Sequence, residues 1–447
     1  MGLVVAYGPE LRAFVYSGLL DALIVAGIHP TLYVPERVDL SNTGLPSAEV
    51  FRYPLSGQPC LLRKVRGWAT SAARRLALSR GQPGWQHAAS PNRPPYQGTG
   101  PGTGRASTAL WRTVSSCLAN LERLMARILG PHPHWKAIFL QQRIRAVVAA
   151  SFDSPRLLPV LQSASLLGLK TIVLCNSWKD VYVASHLSAN LDLIGVQNTD
   201  AERHLSNLPG AIPARIRVIP SLHLQPFMRS LPAMSRPLVA ERLGLISRRT
   251  WICYSFAAPG AVTGEISTVR TFALALRRIP TERRPQLVLR ENPMAPPGRL
   301  ASLAAEIPEA VVFRPDWFFE PKMEWCCPSR SDSVIWPAFV RECALNVSIP
   351  STVTLEFAAA GRPVINVCFD TVQGVTPGES AARLWNAPFY QDIRESKIAQ
   401  PARSPTELIA LTQRILTDSG VPADHQGPHP EPPVEAACRA IVALVQQ

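Results

Sequence analysis

The chain has 447 residues, 47% of them hydrophobic, which is enough for two or three domains with sizeable cores and excludes a disordered protein. Its 46 Lys and Arg outnumber 32 Asp and Glu, and the net charge of +14 favours polyanionic partners such as phosphates, anionic lipid or nucleic acid. No apolar run approaches the roughly 18–20 residues that span a bilayer, no RNP-like sequence, zinc finger or basic zipper marks a nucleic-acid module, and nine scattered cysteines without C-x-x-C predict a reduced, cytoplasmic protein with no metal site.

Leu3–Tyr7 is a buried-type strand rather than a signal peptide, because no basic residues precede it. The turn Gly8-Pro9-Glu10 leads to helical periodicity over Arg12–Ala26, closed by Gly27, and to a strand at Thr31–Val34. This unit lacks G-x-G-x-x-G, so a dinucleotide fingerprint is absent. Residues 61–80 carry Arg63, Lys64, Arg66, Arg74, Arg75 and Arg80, with no acid, among Leu61, Leu62, Val65, Trp68, Leu76 and Leu78. Such a stretch can lie on an anionic membrane or be a solvated helix face. Gly81–Arg105 is turn-rich and aperiodic, a flexible insertion, and Thr108–Leu129 is a long amphipathic helix. His132 and His134 flank Pro133 in a loop, with no nearby Cys or carboxylate to complete a metal set.

Strands and helices then alternate. Ala146–Phe152 is a strand ending at Asp153, Thr171–Cys175 is a strand followed by the turn that holds Asp180, and strands at Leu191–Val196 and Arg215–Ile219 follow. The alternation predicts a parallel, doubly wound sheet. Residues 223–249, rich in Pro, Ser and Arg, form a crossover, so 1–222 is one Rossmann-like unit and 250–447 a second. The second array opens at Trp251–Phe256 and includes Gln286–Arg290, a strand ending in an arginine.

The segment Ala344–Asp370 is the most informative. Ala344–Ile349 is a strand, Ser351 an N-cap, Thr352–Ala360 a helix, Gly361 its C′ residue and Val364–Phe369 a second strand. Small polar residues thus sit at a helix N-terminus, where unpaired N–H groups and the helix dipole favour an anion. Thr352 and Glu356 share a face, which suits a nucleotide diphosphate, with hydroxyls on the phosphates and the carboxylate on ribose. The alternative is an ordinary capped helix with a solvated Glu.

Two Rossmann-like halves with this late strand–helix turn resemble a GT-B glycosyltransferase of bacterial surface polysaccharide biosynthesis. The stretches GPELRAFVYSGLLDALIVAGIHPTLYVP, RVIPSLHLQPF, QLVLRENP and NVSIPSTVTLEFAAAGRPVINVCFD carry the resemblance. It implies α/β architecture with two Rossmann-like domains facing a cleft. The activity implied is inverting, metal-independent sugar transfer from a nucleotide-diphosphate sugar to a surface glycan or lipid-linked acceptor. The nucleotide sugar is a co-substrate, and no cofactor is expected. Ser351, Thr352 and Thr354 are implied to hold the diphosphate, Glu356 the ribose, and Arg290 the charge developing on the leaving nucleotide. Glu10, Asp153 and Asp180 are candidate bases. Other readings of the same architecture are a polyol-phosphate transferase, a sugar-nucleotide 2-epimerase and a non-catalytic binding or assembly protein. The expected place of action is the cytoplasmic side of the membrane, held there by 61–80, with no nucleic-acid partner.

Overall fold

A computed structural model describes every residue except 37–39, 41–42, 44–49, 55–104, 153, 155, 178–179, 185, 229–233, 321–324, 376–378, 387–389, 418–430 and 447. The basic stretch 61–80 and nearly all of the insertion 81–105 therefore lie outside the described residues.

Two parallel sheets form the molecule. The first contains β1 (Gly2–Val4), β2 (Thr31–Pro35), β3 (Val50–Tyr53), β4 (Ala146–Ala149), β5 (Lys170–Leu174), β6 (Leu193–Val196) and β7 (Ile216–Val218), in the order β3-β2-β1-β4-β5-β6-β7. The second contains β8 (Trp251–Ser255), β9 (Gln286–Arg290), β10 (Val311–Phe313), β13 (Leu345–Ser348), β14 (Val364–Val367) and β15 (Gln400–Ala402), in the order β10-β9-β8-β13-β14-β15. Between β10 and β13, β11 (Trp317–Glu320) and β12 (Trp325–Pro328) form an antiparallel hairpin. The central strands are short apolar runs buried on both faces, as parallel sheets require. Strand order reverses between β1 and β4 and again between β8 and β13, and open α/β sheets bind ligands at such points.

Several local features depart from expectation. The N-terminal helix is broken: a π-helical turn at Arg12–Tyr16 is separated by Gly18, at φ +91°, from the helix Leu19–Val25. The left-handed backbone at Gly18 lets the chain change direction without a Cβ clash. The segment around Pro133 is not a loop: His132 is the N-cap and Pro133 opens the helix Pro133–Gln141. Proline suits a first helical position, where its missing N–H costs nothing. The long helix runs Arg105–Leu129.

The crossover holds a 3₁₀ helix, Leu222–Phe227, and the helix Arg236–Leu243. The 3₁₀ segment bridges the halves: Leu222 packs in the core of the first sheet, Leu224 and Phe227 in that of the second. The last helix, Pro433–Val445, falls within the range 250–447 assigned to the second unit, yet Val434, Ala437 and Ile441 pack beside Leu3, Phe14 and Leu23 of the first. The second sheet is covered by other helices, among them Glu265–Arg277, Arg330–Glu342 and Pro405–Thr417. No described helix is long and apolar enough to cross a membrane.

Candidate functional site

The carboxyl edge of β13 continues through Ile349 and Pro350 to Ser351, the N-cap of the helix Thr352–Ala359. Ser351 has extended N-cap geometry, yet its side chain makes no capping bond, so the hydroxyl at this helix N-terminus is not tied to its own backbone. Ser351 and Thr352 are both half-buried. Gly361, at φ +63°, closes the helix as a left-handed C′ residue.

One turn into this helix stands Glu356, only 2% exposed. Its Oε1 accepts a hydrogen bond from Arg12 Nη2 of the first domain at 2.8 Å, and its Oε2 accepts from Trp336 Nε1 at 2.7 Å. Burial works to raise its pKa, but Arg12 and then Arg290 outweigh burial, and the carboxyl is held below the usual range, ionised at neutral pH. Arg290, at the end of β9, lies with its guanidinium 3.9 Å from the centre of the Trp336 ring, and its Nε has no partner. Asp332 completes the cluster: its Oδ2 accepts from Trp317 Nε1 at 2.7 Å, and burial pushes its carboxyl up despite Arg290. Arg12 passes between the rings of Phe227 and Trp317, at 5.9 and 5.8 Å.

The domains also touch beside this cluster. A Cβ placed on Gly8 would lie 1.8 Å from the Cys326 carbonyl oxygen, so the first turn of one domain rests on the hairpin of the other. Tyr16 donates to Pro328 O at 3.3 Å. Arg341 donates to the Pro226 carbonyl.

The structure distributes the expected site residues unevenly. Ser351, Thr352 and Glu356 occupy one helix end, with Arg290 behind Glu356. Thr354 does not belong with them: it is fully buried and its Oγ1 accepts from Asn366 Nδ2 at 3.0 Å. It faces the sheet because it stands two positions beyond Thr352, across the helix, and its hydroxyl is committed there rather than to the helix N-terminus. Arg290 is 4% exposed and stacked, so it cannot itself meet a leaving group while Trp336 keeps this position. Glu10, a candidate base, has its Oε2 committed locally: it accepts from the backbone N–H groups of Ala6 at 2.5 Å and Tyr7 at 3.1 Å, binding its own turn together. Asp153 lies outside the described residues, as does the side chain of Asp180, which opens the short helix Asp180–Val183.

Two residues at this interface escaped sequence reasoning. Arg12 had no local signal beyond a basic residue near a turn. His223 stands in RVIPSLHLQPF, where an unpaired histidine beside the crossover was the available clue. It is 5% exposed, its Nδ1 lies 2.6 Å from Ser221 Oγ, and its Nε2 has no partner.

A scan against protein-family models and a search of curated sequences gave no match. Solved structures do match. A UDP-GlcNAc 2-epimerase from Methanocaldococcus jannaschii aligns over 100% of this chain and 99% of its own, with 10% identity and a TM-score of 0.56. A UDP-GlcNAc 2-epimerase from Neisseria meningitidis, solved with UDP-GlcNAc bound, aligns over 100% of both chains at 11% identity and a TM-score of 0.51. The fold is GT-B. At these identities the likeness establishes the GT-B architecture and its two facing Rossmann-like domains, and the chemistry rests on the residues.

Proposed function

We propose that the protein is a glycosyltransferase that moves a sugar from a nucleotide-diphosphate donor to a surface glycan or lipid-linked acceptor, inverting the anomeric carbon. One observation carries the reading: the N-terminus of the helix Thr352–Ala359 stands beside the domain interface, with an uncommitted Ser351 hydroxyl and an ionised Glu356 one turn on. The helix end, Ser351 and Thr352 receive the diphosphate. Glu356 receives the ribose hydroxyls when Arg12 leaves it. Arg12, with an 18% exposed side chain, is then the cation free to meet the diphosphate, and it neutralises the charge that develops as the nucleotide departs. Arg290 stays behind and keeps Glu356 ionised. The role first assigned to Arg290 thus passes to Arg12, because only Arg12 has access.

The GT-B neighbours named for UDP-GlcNAc make uridine the first base to test. A thermal-shift screen against UDP, CDP, GDP and their sugars is expected to show stabilisation by one base over the others. No stabilisation by any would overturn the reading in favour of a non-catalytic protein. Conversion of a nucleotide sugar to its C2 epimer without an acceptor would replace the transferase by an epimerase.

A further inference from the structure

We propose that His223 is the general base of this transfer, taking the acceptor's hydroxyl proton on Nε2. The inference rests on the transferase reading above. His223 lies in the 3₁₀ segment Leu222–Phe227, which packs against the Arg12–Tyr16 turn, the helices Arg330–Glu342 and Thr352–Ala359, and the last helix Pro433–Val445. It therefore sits where the two domains meet, one residue after Leu222 of the first core and one before Leu224 of the second.

The hydrogen bonds around it fit one tautomer. Ser221 Oγ donates its single proton to the Asn176 carbonyl at 3.1 Å. It can then only accept from the imidazole at 2.6 Å, so Nδ1 carries the proton and Nε2 the lone pair. That lone pair is buried and has no partner, so the acceptor meets it only after Arg12 has left Glu356 as proposed above. Burial and then Arg12 lower the imidazole pKa to about 4, while Glu356 opposes them, so the ring is neutral at pH 7. A diphosphate that draws Arg12 away removes a charge that depresses this pKa and adds one that raises it. The base then moves towards the range where proton transfer is efficient. Glu10, the described rival, is bonded to its own backbone.

In the step, Nε2 takes the acceptor's O–H proton as that oxygen bonds to the anomeric carbon. The bond from that carbon to the diphosphate oxygen breaks, and its electron pair leaves with the nucleoside diphosphate. The imidazolium returns its proton to water.

The test compares the full chain with His223→Asn and Ser221→Ala, using the nucleotide sugar selected by thermal shift and following release of nucleoside diphosphate. His223→Asn should keep the donor-induced thermal shift and lose at least about 100-fold in kcat. Ser221→Ala should lose about tenfold, since the tautomer is no longer held. Donor binding with undiminished turnover in His223→Asn overturns this inference and leaves the transferase standing. No nucleotide binding by any form removes the transferase reading and this inference together. Independently of turnover, ¹⁵N NMR of histidine-labelled protein should show the Nδ1–H tautomer for His223, and a proton on Nε2 would overturn the assignment.

Discussion

Glu10 and Glu356 each follow a strand at a point where strand order reverses, and both are buried, yet their carboxylates serve different partners. Glu10 accepts from the N–H groups of Ala6 and Tyr7, four and three residues away, and shapes the turn that carries it. Glu356 accepts from Arg12, 344 residues away, and from Trp336. A carboxylate satisfied by its own backbone is locked, because releasing it would unmake the turn. A carboxylate satisfied by a guanidinium from another domain can exchange that partner for a ligand, because the bond runs between the domains and not within the turn of either. On the proposed reading the second half of the molecule holds the exchangeable site, and the first half supplies the group that leaves it.

The strongest way to break this comparison is Glu356→Ala. It strands Arg12 and Arg290 without their shared counter-ion, and breaking a buried pair of this kind costs about 3–5 kcal/mol. Urea denaturation should report that loss together with loss of nucleotide binding. A loss below about 1 kcal/mol would mean that Glu356 does not couple the domains.

Gly8→Ala probes the contact beside the pair. The added Cβ meets the backbone at Cys326, which cannot swing aside as a side chain could. Overpacking should cost about 1–3 kcal/mol or push the domains apart. Small-angle scattering should show a larger radius, and an unchanged radius with unchanged stability would refute the close approach.

A third carboxyl sharpens the contrast through pH. Glu265, at the start of the helix Glu265–Arg277, has its pKa raised by burial from 4.5 to about 7. The folded state then holds a proton that the unfolded state has lost, so this group's contribution is fullest below pH 4.5 and falls as pH rises towards 7. Glu356 behaves oppositely: its depressed pKa gives stability that is present above the unfolded value and is lost as pH falls through the folded one. Glu265→Gln keeps an acceptor for the Ala257 N–H and should raise stability at pH 8 by on the order of 2 kcal/mol. Denaturation series at several pH values check this, and an unaltered slope between pH 4.5 and 7 would reject it.

Ser351→Ala is the smallest change expected in stability. With no capping bond to lose, it should stay within about 0.5 kcal/mol of the parent. Nucleotide affinity should nevertheless fall about tenfold by calorimetry, as expected for a lost bond to a charged group. Equal losses in both would make Ser351 an ordinary cap.

Much of the fold was legible because its signals are local. Gln286–Arg290 and Val311–Phe313 are strands as their apolar runs predict, and the helix Thr352–Ala359 begins and ends at the expected N-cap and glycine. The strand Val50–Tyr53 and the hairpin Trp317–Pro328 were missed, since neither shows clean alternation between turn signals. The helix Pro133–Gln141 was hidden because the segment around Pro133 reads as a loop, whereas the proline starts the helix. At the candidate site, residue types near a helix N-terminus pointed to Ser351, Thr352 and Glu356. Their spacing could not separate Thr354, which turns into the sheet, from Thr352 beside it.

Local patterns carried the two parallel sheets, their order along the chain and the polar helix start late in the second half, because periodicity, caps and glycines act within a few residues. Long-range packing set the rest: Arg12 closes on Glu356, Arg290 is sealed under Trp336, the last helix returns to the first domain and His223 Nε2 is buried without a partner. Those outcomes depend on which surfaces meet across hundreds of residues. Burial, which sets the charge and reach of each group, exists only once they have met.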